Sequence, residues 1–85
     1  MDEDQVGVVV NFYAKLSVAA VKVTSGSIKK NDLLKYKGYT TDFTEEVASM
    51  EINNQPAEEA QVGDLVGLKV KKRVREKDKV YKVVE

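Results

Sequence analysis

The stretch Ser25-Gly26-Ser27-Ile28-Lys29-Lys30-Asn31-Asp32-Leu33-Leu34-Lys35-Tyr36-Lys37-Gly38 decides the fold. Ser25-Gly26-Ser27 is a turn signal, with glycine free to leave the ordinary backbone regions. Asn31-Asp32 makes a second reversal, since both residues tolerate left-handed backbone and hydrogen-bond their own main chain. After it, Leu34 and Tyr36 alternate with Lys35 and Lys37, the period of a half-buried strand, and Gly38 closes the run. Two reversals this close leave no room for a helix, so the local structure is β.

The neighbouring segments agree. Upstream, Val18–Val23 reads as a strand, and so does Val6–Tyr13, which is rich in β-branched and aromatic residues. Strict alternation in the latter sends Val6, Val8, Val10 and Phe12 to one face. Downstream, a short strand is expected within Tyr39–Phe43, another over Val47–Ile52 with Ala48, Met50 and Ile52 on one side, and a break at Asn53-Asn54-Gln55-Pro56. The stretch 57–60 reads as a loop, one turn being too short to hold a helix. Gly63-Asp64 opens a strand that points Val66, Leu68 and Val70 inward, and Val80–Val84 is the last strand.

Six to seven short strands with regular turn signals predict an all-β fold, a small closed antiparallel barrel. Closure would hide the sheet edges that a small β protein otherwise exposes. The predicted core is Val8, Val10, Val21, Leu34, Met50, Ile52, Val66, Leu68 and Val83. Residues 1–85 fit one domain, with 1–5 expected as a disordered N-terminus, and no internal repeat is evident.

Composition limits the chemistry. The chain has neither histidine nor cysteine. The usual general base near neutral pH, the usual zinc ligands and any Ser-His or Cys-His nucleophile are therefore missing. Glu45-Glu46 and Glu58-Glu59 are adjacent pairs that a strand would send to opposite faces, so neither is a carboxylate dyad. Gly63-Asp64-Leu65-Val66-Gly67 is not a phosphate-binding loop, which needs a long helix behind it. The reading is a non-enzyme with no cofactor and no metal. No apolar run approaches the ~20 residues that span a bilayer. The start Met1-Asp2-Glu3-Asp4 is acidic where a secretion signal is basic. A cytoplasmic protein without membrane contact is expected.

Net charge is zero, but the charges lie in blocks. Lys15 to Lys37 holds six lysines against Asp32, Asp42 to Asp64 holds seven acids and no base, and Lys69 to Lys82 holds eight bases against Glu76 and Asp78. Such blocks either make a dipolar surface or simply neighbour each other in the fold.

Taken in order, several pieces of the chain resemble a known family. Residues 25–38 are similar to the "G-x-I-K-x-G-D-x-L" stretch in the β-barrel second domain of translational GTPases. Val47-Ala48-Ser49-Met50-Glu51-Ile52 followed by Ala60-Gln61-Val62-Gly63-Asp64-Leu65-Val66-Gly67-Leu68 resembles the "V-x-S-M-E" strand and "A-x-x-G-D-x-V-G-L" of the same domain. Lys77-Asp78-Lys79-Val80 matches the final "G-D-V" more loosely. In each piece the Asp can cap free N–H groups of the turn, and the residue before it needs left-handed backbone. Asn31 suits that role, whereas Lys77 in the glycine position predicts a different final turn. Similar barrels are also attached to U32-type peptidases.

The resemblance implies a non-catalytic module, elongation-factor-like, that binds transfer or ribosomal RNA, with a protein-interaction adaptor for a translation or RNA-modification enzyme as the alternative. It also implies that Glu51 occupies the position of a nucleotide-contacting acid. Lys69, Lys71, Arg73 and Arg75 recur every second residue, so a continuing strand would project them, with Lys72 beside them, as a phosphate-binding row. Tyr13, Tyr36, Tyr39 and Phe43 are the candidate stacking platforms.

Overall fold

The computed structural model describes residues 2–84. The described residues form ten strands and no helix: β1 (Asp2–Tyr13), β2 (Val18–Val23), β3 (Ser27–Lys29), β4 (Leu33–Lys37), β5 (Asp42–Glu46), β6 (Met50–Ile52), β7 (Gln55–Pro56), β8 (Glu59–Gln61), β9 (Leu65–Lys69) and β10 (Lys79–Val84). No helix is long and apolar enough to cross a membrane among the described residues. Eight strands join one antiparallel sheet in the order β5-β4-β10-β1-β2-β9-β6-β7, and β3 pairs with β8 in a separate ribbon.

The all-β expectation holds, but the hydrogen-bonded ladder does not close, so the closed barrel is corrected to an open sheet with β5 and β7 at its edges. The chain explains the open seam. Between β5 and β6, residues 47–49 leave the ladder: the Val47 N–H donates to the Asp32 carbonyl, and the Val47 carbonyl accepts from the Asn31 N–H. At the other edge Pro56 offers no N–H, which suits a terminal strand. One core nevertheless contains Leu34 and Tyr36 from β4 as well as Met50 from β6, so the sheet curls its two ends around shared apolar side chains.

Three differences from the sequence reading have local causes. First, β1 carries two bulges, between Gln5 and Gly7 against β10 and between Val9 and Asn11 against β2. A bulge inserts an unpaired residue and reverses the in–out phase beyond it. Val9 is therefore buried while Val10 is 42% exposed, and Val8 is only half-buried. Second, Ile52 and Val83 are half-buried rather than central, Ile52 packing against the core from its edge. Val21, Leu34, Met50, Val66 and Leu68 are in the core as expected. Third, β1 begins at Asp2, and Asp2 to Gln5 pair with Val84 to Tyr81 of β10. Met1 lies outside the described residues.

Three turns repeat a single device, the aspartate cap that the sequence suggested for each piece. In Lys29–Asp32, Gln61–Asp64 and Arg75–Asp78, the aspartate N–H donates to the carbonyl of the first residue, at 3.0, 2.9 and 3.1 Å. The aspartate carboxylate in turn accepts the N–H of that first residue, at 2.8 Å in all three. The third position has positive φ each time: Asn31 at 77°, Gly63 at 97° and Lys77 at 75°. This is type II geometry, which needs left-handed backbone at that position. Lys77 adopts the glycine-like conformation after all, correcting the expected departure. Each turn is framed by buried apolar residues three before the αL position and three after it: Ile28 and Leu34, Ala60 and Val66, Val74 and Val80.

The charge blocks largely neighbour one another. Lys37 pairs with Asp42 at 2.9 Å, Lys82 with Asp32 at 3.1 Å and Lys35 with Glu3 at 3.3 Å.

A candidate binding groove on the outer face

Antiparallel pairing sets β2, β9 and β6 side by side with their inward residues in register: Ala19 opposite Leu68, Val21 opposite Val66, Met50 opposite Leu68. Alternation then sends Val18, Ala20, Leu65, Gly67, Lys69 and Glu51 to the outer face. Gly67 lies between Ala20 on one side and Glu51 on the other. Small residues at the centre make a low floor. Around it stand Val18, Leu65 (53% exposed), and Tyr13 (49%) and Leu16 (62%) at the β1–β2 connection. The result is an open groove of about 420 Å³, lined also by Asn53 and Asn54, with an adjoining depression that shares Leu16, Val18, Glu51 and Gly67 and reaches Lys69. A side chain on Gly67 would rise into the groove, its Cβ 3.3 Å from Val18 Cγ1.

Glu51 and Lys69 are thus brought to one surface, both lining the adjoining depression. Lys69 Nζ donates to the Leu16 carbonyl at 2.9 Å, while Glu51 has no ion pair among the described residues.

The rest of the predicted basic row is not assembled. β9 ends at Lys69, and the segment after it buries Val70 and Val74 while leaving residues 71–73 exposed. The cause is local: this segment leaves the sheet to pack against β5. The Lys71 N–H donates to Glu45 Oε1 at 3.0 Å, Lys72 Nζ stands 5.8 Å from the Phe43 ring centroid, and the Arg75 N–H is held by Asp78. Lys71, Lys72, Arg73 and Arg75 therefore do not project from a strand face together. Of the aromatic candidates, Tyr36 is buried and stacked on Phe43 at 4.9 Å, and Tyr39 is fully exposed at the β4–β5 tip. Burial, reinforced by the charge of Glu45, pushes the Tyr36 phenol pKa up, so this hydroxyl stays protonated. Tyr13 alone stands at the groove. The sequence reading missed Leu16, Leu65 and Gly67, although Leu65 carried a signal: once Val66 and Leu68 face inward, Leu65 is an apolar residue on the solvent side.

Comparison with solved structures identifies the fold. The chain is similar to the crystallised C-terminal domain of a protein named as a U32 peptidase of Geobacillus thermoleovorans, with a TM-score of 0.87 and 17% identity, over 95% of this chain and 93% of that one. The selenomethionine variant of the same domain matches with a TM-score of 0.84 and 16% identity, over 91% and 96%. In sequence, the chain is 43% identical over 82 residues to the uncharacterized protease MJ0090 of Methanocaldococcus jannaschii. That match takes in 95% of this chain but only 20% of the protease, so the chain spans about a fifth of the length of this relative. No family model matches.

These findings overturn the likeness to translational GTPase second domains, and with it the elongation-factor reading. The reading of the chain as a translation-factor-like RNA-binding module, or as an adaptor for a translation enzyme, falls with it. The reason is physical. Much of what carried the resemblance, Asn31-Asp32, Gly63-Asp64 and Lys77-Asp78, is the three aspartate turns. They specify backbone geometry, and a turn says nothing of what the fold binds.

Proposed function

We propose that this chain acts as the accessory β domain of a U32-type peptidase, a binding unit that performs no step of peptide hydrolysis itself and uses the groove on β2, β9 and β6 as its docking face. The observation that carries this reading is the domain-sized match: nearly all of this chain corresponds to one fifth of a protein named as a protease. Support also comes from a C-terminal domain of the same shape, from a protein named as a U32 peptidase, that crystallised by itself. The chemistry agrees, because a chain without histidine or cysteine lacks the common hydrolytic nucleophile–base pairs. The outer face supplies the alternative role, as contiguous exposed apolar side chains on a small protein mark interaction sites.

The test is a hybrid in which this chain replaces the matching fifth of the Methanocaldococcus protease. The hybrid should fold and hydrolyse a fluorescent casein at the parent rate, while the chain alone should give no turnover. A hybrid that folds but loses the activity, or turnover by the chain alone, contradicts the proposal.

A further inference from the structure

We propose that the groove takes a short extended protein segment in which an apolar side chain sits two residues from a lysine or arginine, the apolar group over Gly67 and Ala20 and the cation on Glu51. This inference rests on the accessory-domain reading and deepens it by naming the chemistry of what docks. The floor spans three strands, β2, β9 and β6, so it is about 10 Å wide. From Leu65 to Lys69 it is about 14 Å long. Crossing the width takes roughly three residues of extended chain. Tyr13, Leu16 and Leu65 form apolar walls exposed by about half or more, and the side chains of Gly67 and Ala20 are too small to fill the space between them. An apolar side chain lowered onto that floor removes both surfaces from water.

Charge selects the rest of the occupant. Glu51 borders the floor directly beside Gly67 and has no ion pair among the described residues, although three other carboxylates of the chain are paired to lysines. An incoming ammonium or guanidinium would complete it, with arginine favoured by its planar fork. An anionic occupant would meet Glu51 unfavourably. Residues two apart in an extended chain lie on one face at about 7 Å, so a segment crossing the strands with one side chain over Ala20 and Gly67 brings the next within side-chain reach of Glu51, two strands and about 10 Å from Ala20. Asn53 and Asn54, at the groove rim, offer amide groups to the backbone of the segment.

The experiment is a titration of the 15N-labelled chain with three blocked pentapeptides, Ser-Leu-Ser-Arg-Ser, Ser-Leu-Ser-Glu-Ser and Ser-Gly-Ser-Arg-Ser, followed by amide shifts. The leucine–arginine peptide should shift the amides of Ala20, Glu51, Leu65 and Gly67 saturably. The glutamate and glycine peptides should bind at least several-fold more weakly. Glu51→Gln should weaken the first peptide by about tenfold, the size of one charge-assisted hydrogen bond, and Leu65→Asp should remove its binding while leaving the rest of the spectrum in place. Equal binding of the arginine and glutamate peptides, an unchanged affinity in Glu51→Gln, shifts confined to other amides, or no binding of any peptide each overturns the proposal. So does an oligonucleotide that shifts the same amides more strongly than the first peptide. None of these outcomes depends on the hybrid protease, so failure here and failure of the accessory-domain reading remain distinguishable.

Discussion

The turns Gln61–Asp64 and Arg75–Asp78 have the same hydrogen bonds from different residues. Each aspartate accepts the N–H three residues back at 2.8 Å and donates its own N–H to the carbonyl there. In the first, Gly63 takes a φ of 97° with nothing within 4 Å of where a Cβ would lie. In the second, Lys77 takes a φ of 75° despite its Cβ, and Asp78 is buried with Gly38 packed on its carboxylate. The aspartate therefore defines the turn, and the left-handed residue before it only sets how much strain the turn carries. Gly38 illustrates a separate requirement, since a Cβ there would overlap Asp78 Oδ1.

That contrast can be broken most severely at Gly38. Gly38→Val should destabilise the fold by about 3 kcal/mol or more, because the buried aspartate has no room to retreat. Urea denaturation followed by circular dichroism checks it, and a loss below 1 kcal/mol would mean that Asp78 can swing away. Removing the aspartates comes next. Asp78→Ala strands the Arg75 N–H in a part-buried site and should cost about 2 kcal/mol, whereas Asp64→Ala, at a solvated turn, should cost about 1 kcal/mol or less. Equal losses at the two sites would erase the distinction between buried and exposed turns.

Exchanging the left-handed residues is a finer test. Lys77→Gly should stabilise by about 1 kcal/mol and Gly63→Lys should destabilise by a similar amount, since a left-handed L-residue costs roughly 1–2 kcal/mol. Thermal melts of the two variants should move in opposite directions.

The smallest effect concerns the exposed pair at the β4–β5 hairpin. The hydrogen bond and charge of Lys37 hold Asp42 below the ordinary carboxylate range. The same hydrogen bond to Asp42 pushes the Lys37 ammonium pKa up. The stabilisation from Asp42 is present above its unfolded value of about 3.9 and is lost as pH falls through the lower folded value. By the same linkage, the Lys37 contribution is lost only as pH rises through its raised folded value. Carboxyl NMR titration should show the Asp42 midpoint rising in Lys37→Ala and rising with added salt.

Much of this architecture was legible where alternation is uninterrupted. Leu34 and Tyr36 in β4 and Val66 and Leu68 in β9 face inward as read. It failed in β1, because a bulge leaves no mark in a run such as Val8-Val9-Val10, where every residue suits a strand and either phase is apolar. It failed again after Lys69: Lys71, Arg73 and Arg75 keep a two-residue spacing whether or not the backbone remains a strand. Closure was out of reach for a different reason, since the seam depends on Val47 bonding across to Asn31 and Asp32. The groove was half visible. Glu51 was singled out, but its apolar surroundings come from β1, β2 and β9, which meet only through pairing.

Isothermal titration of this chain against the Methanocaldococcus protease lacking its matching fifth tests the docking-face claim most directly. The account predicts saturable one-to-one binding that the double variant Leu16→Asp/Leu65→Asp removes without unfolding the chain. Absence of binding, or equal affinity for the parent chain and the double variant, would contradict it.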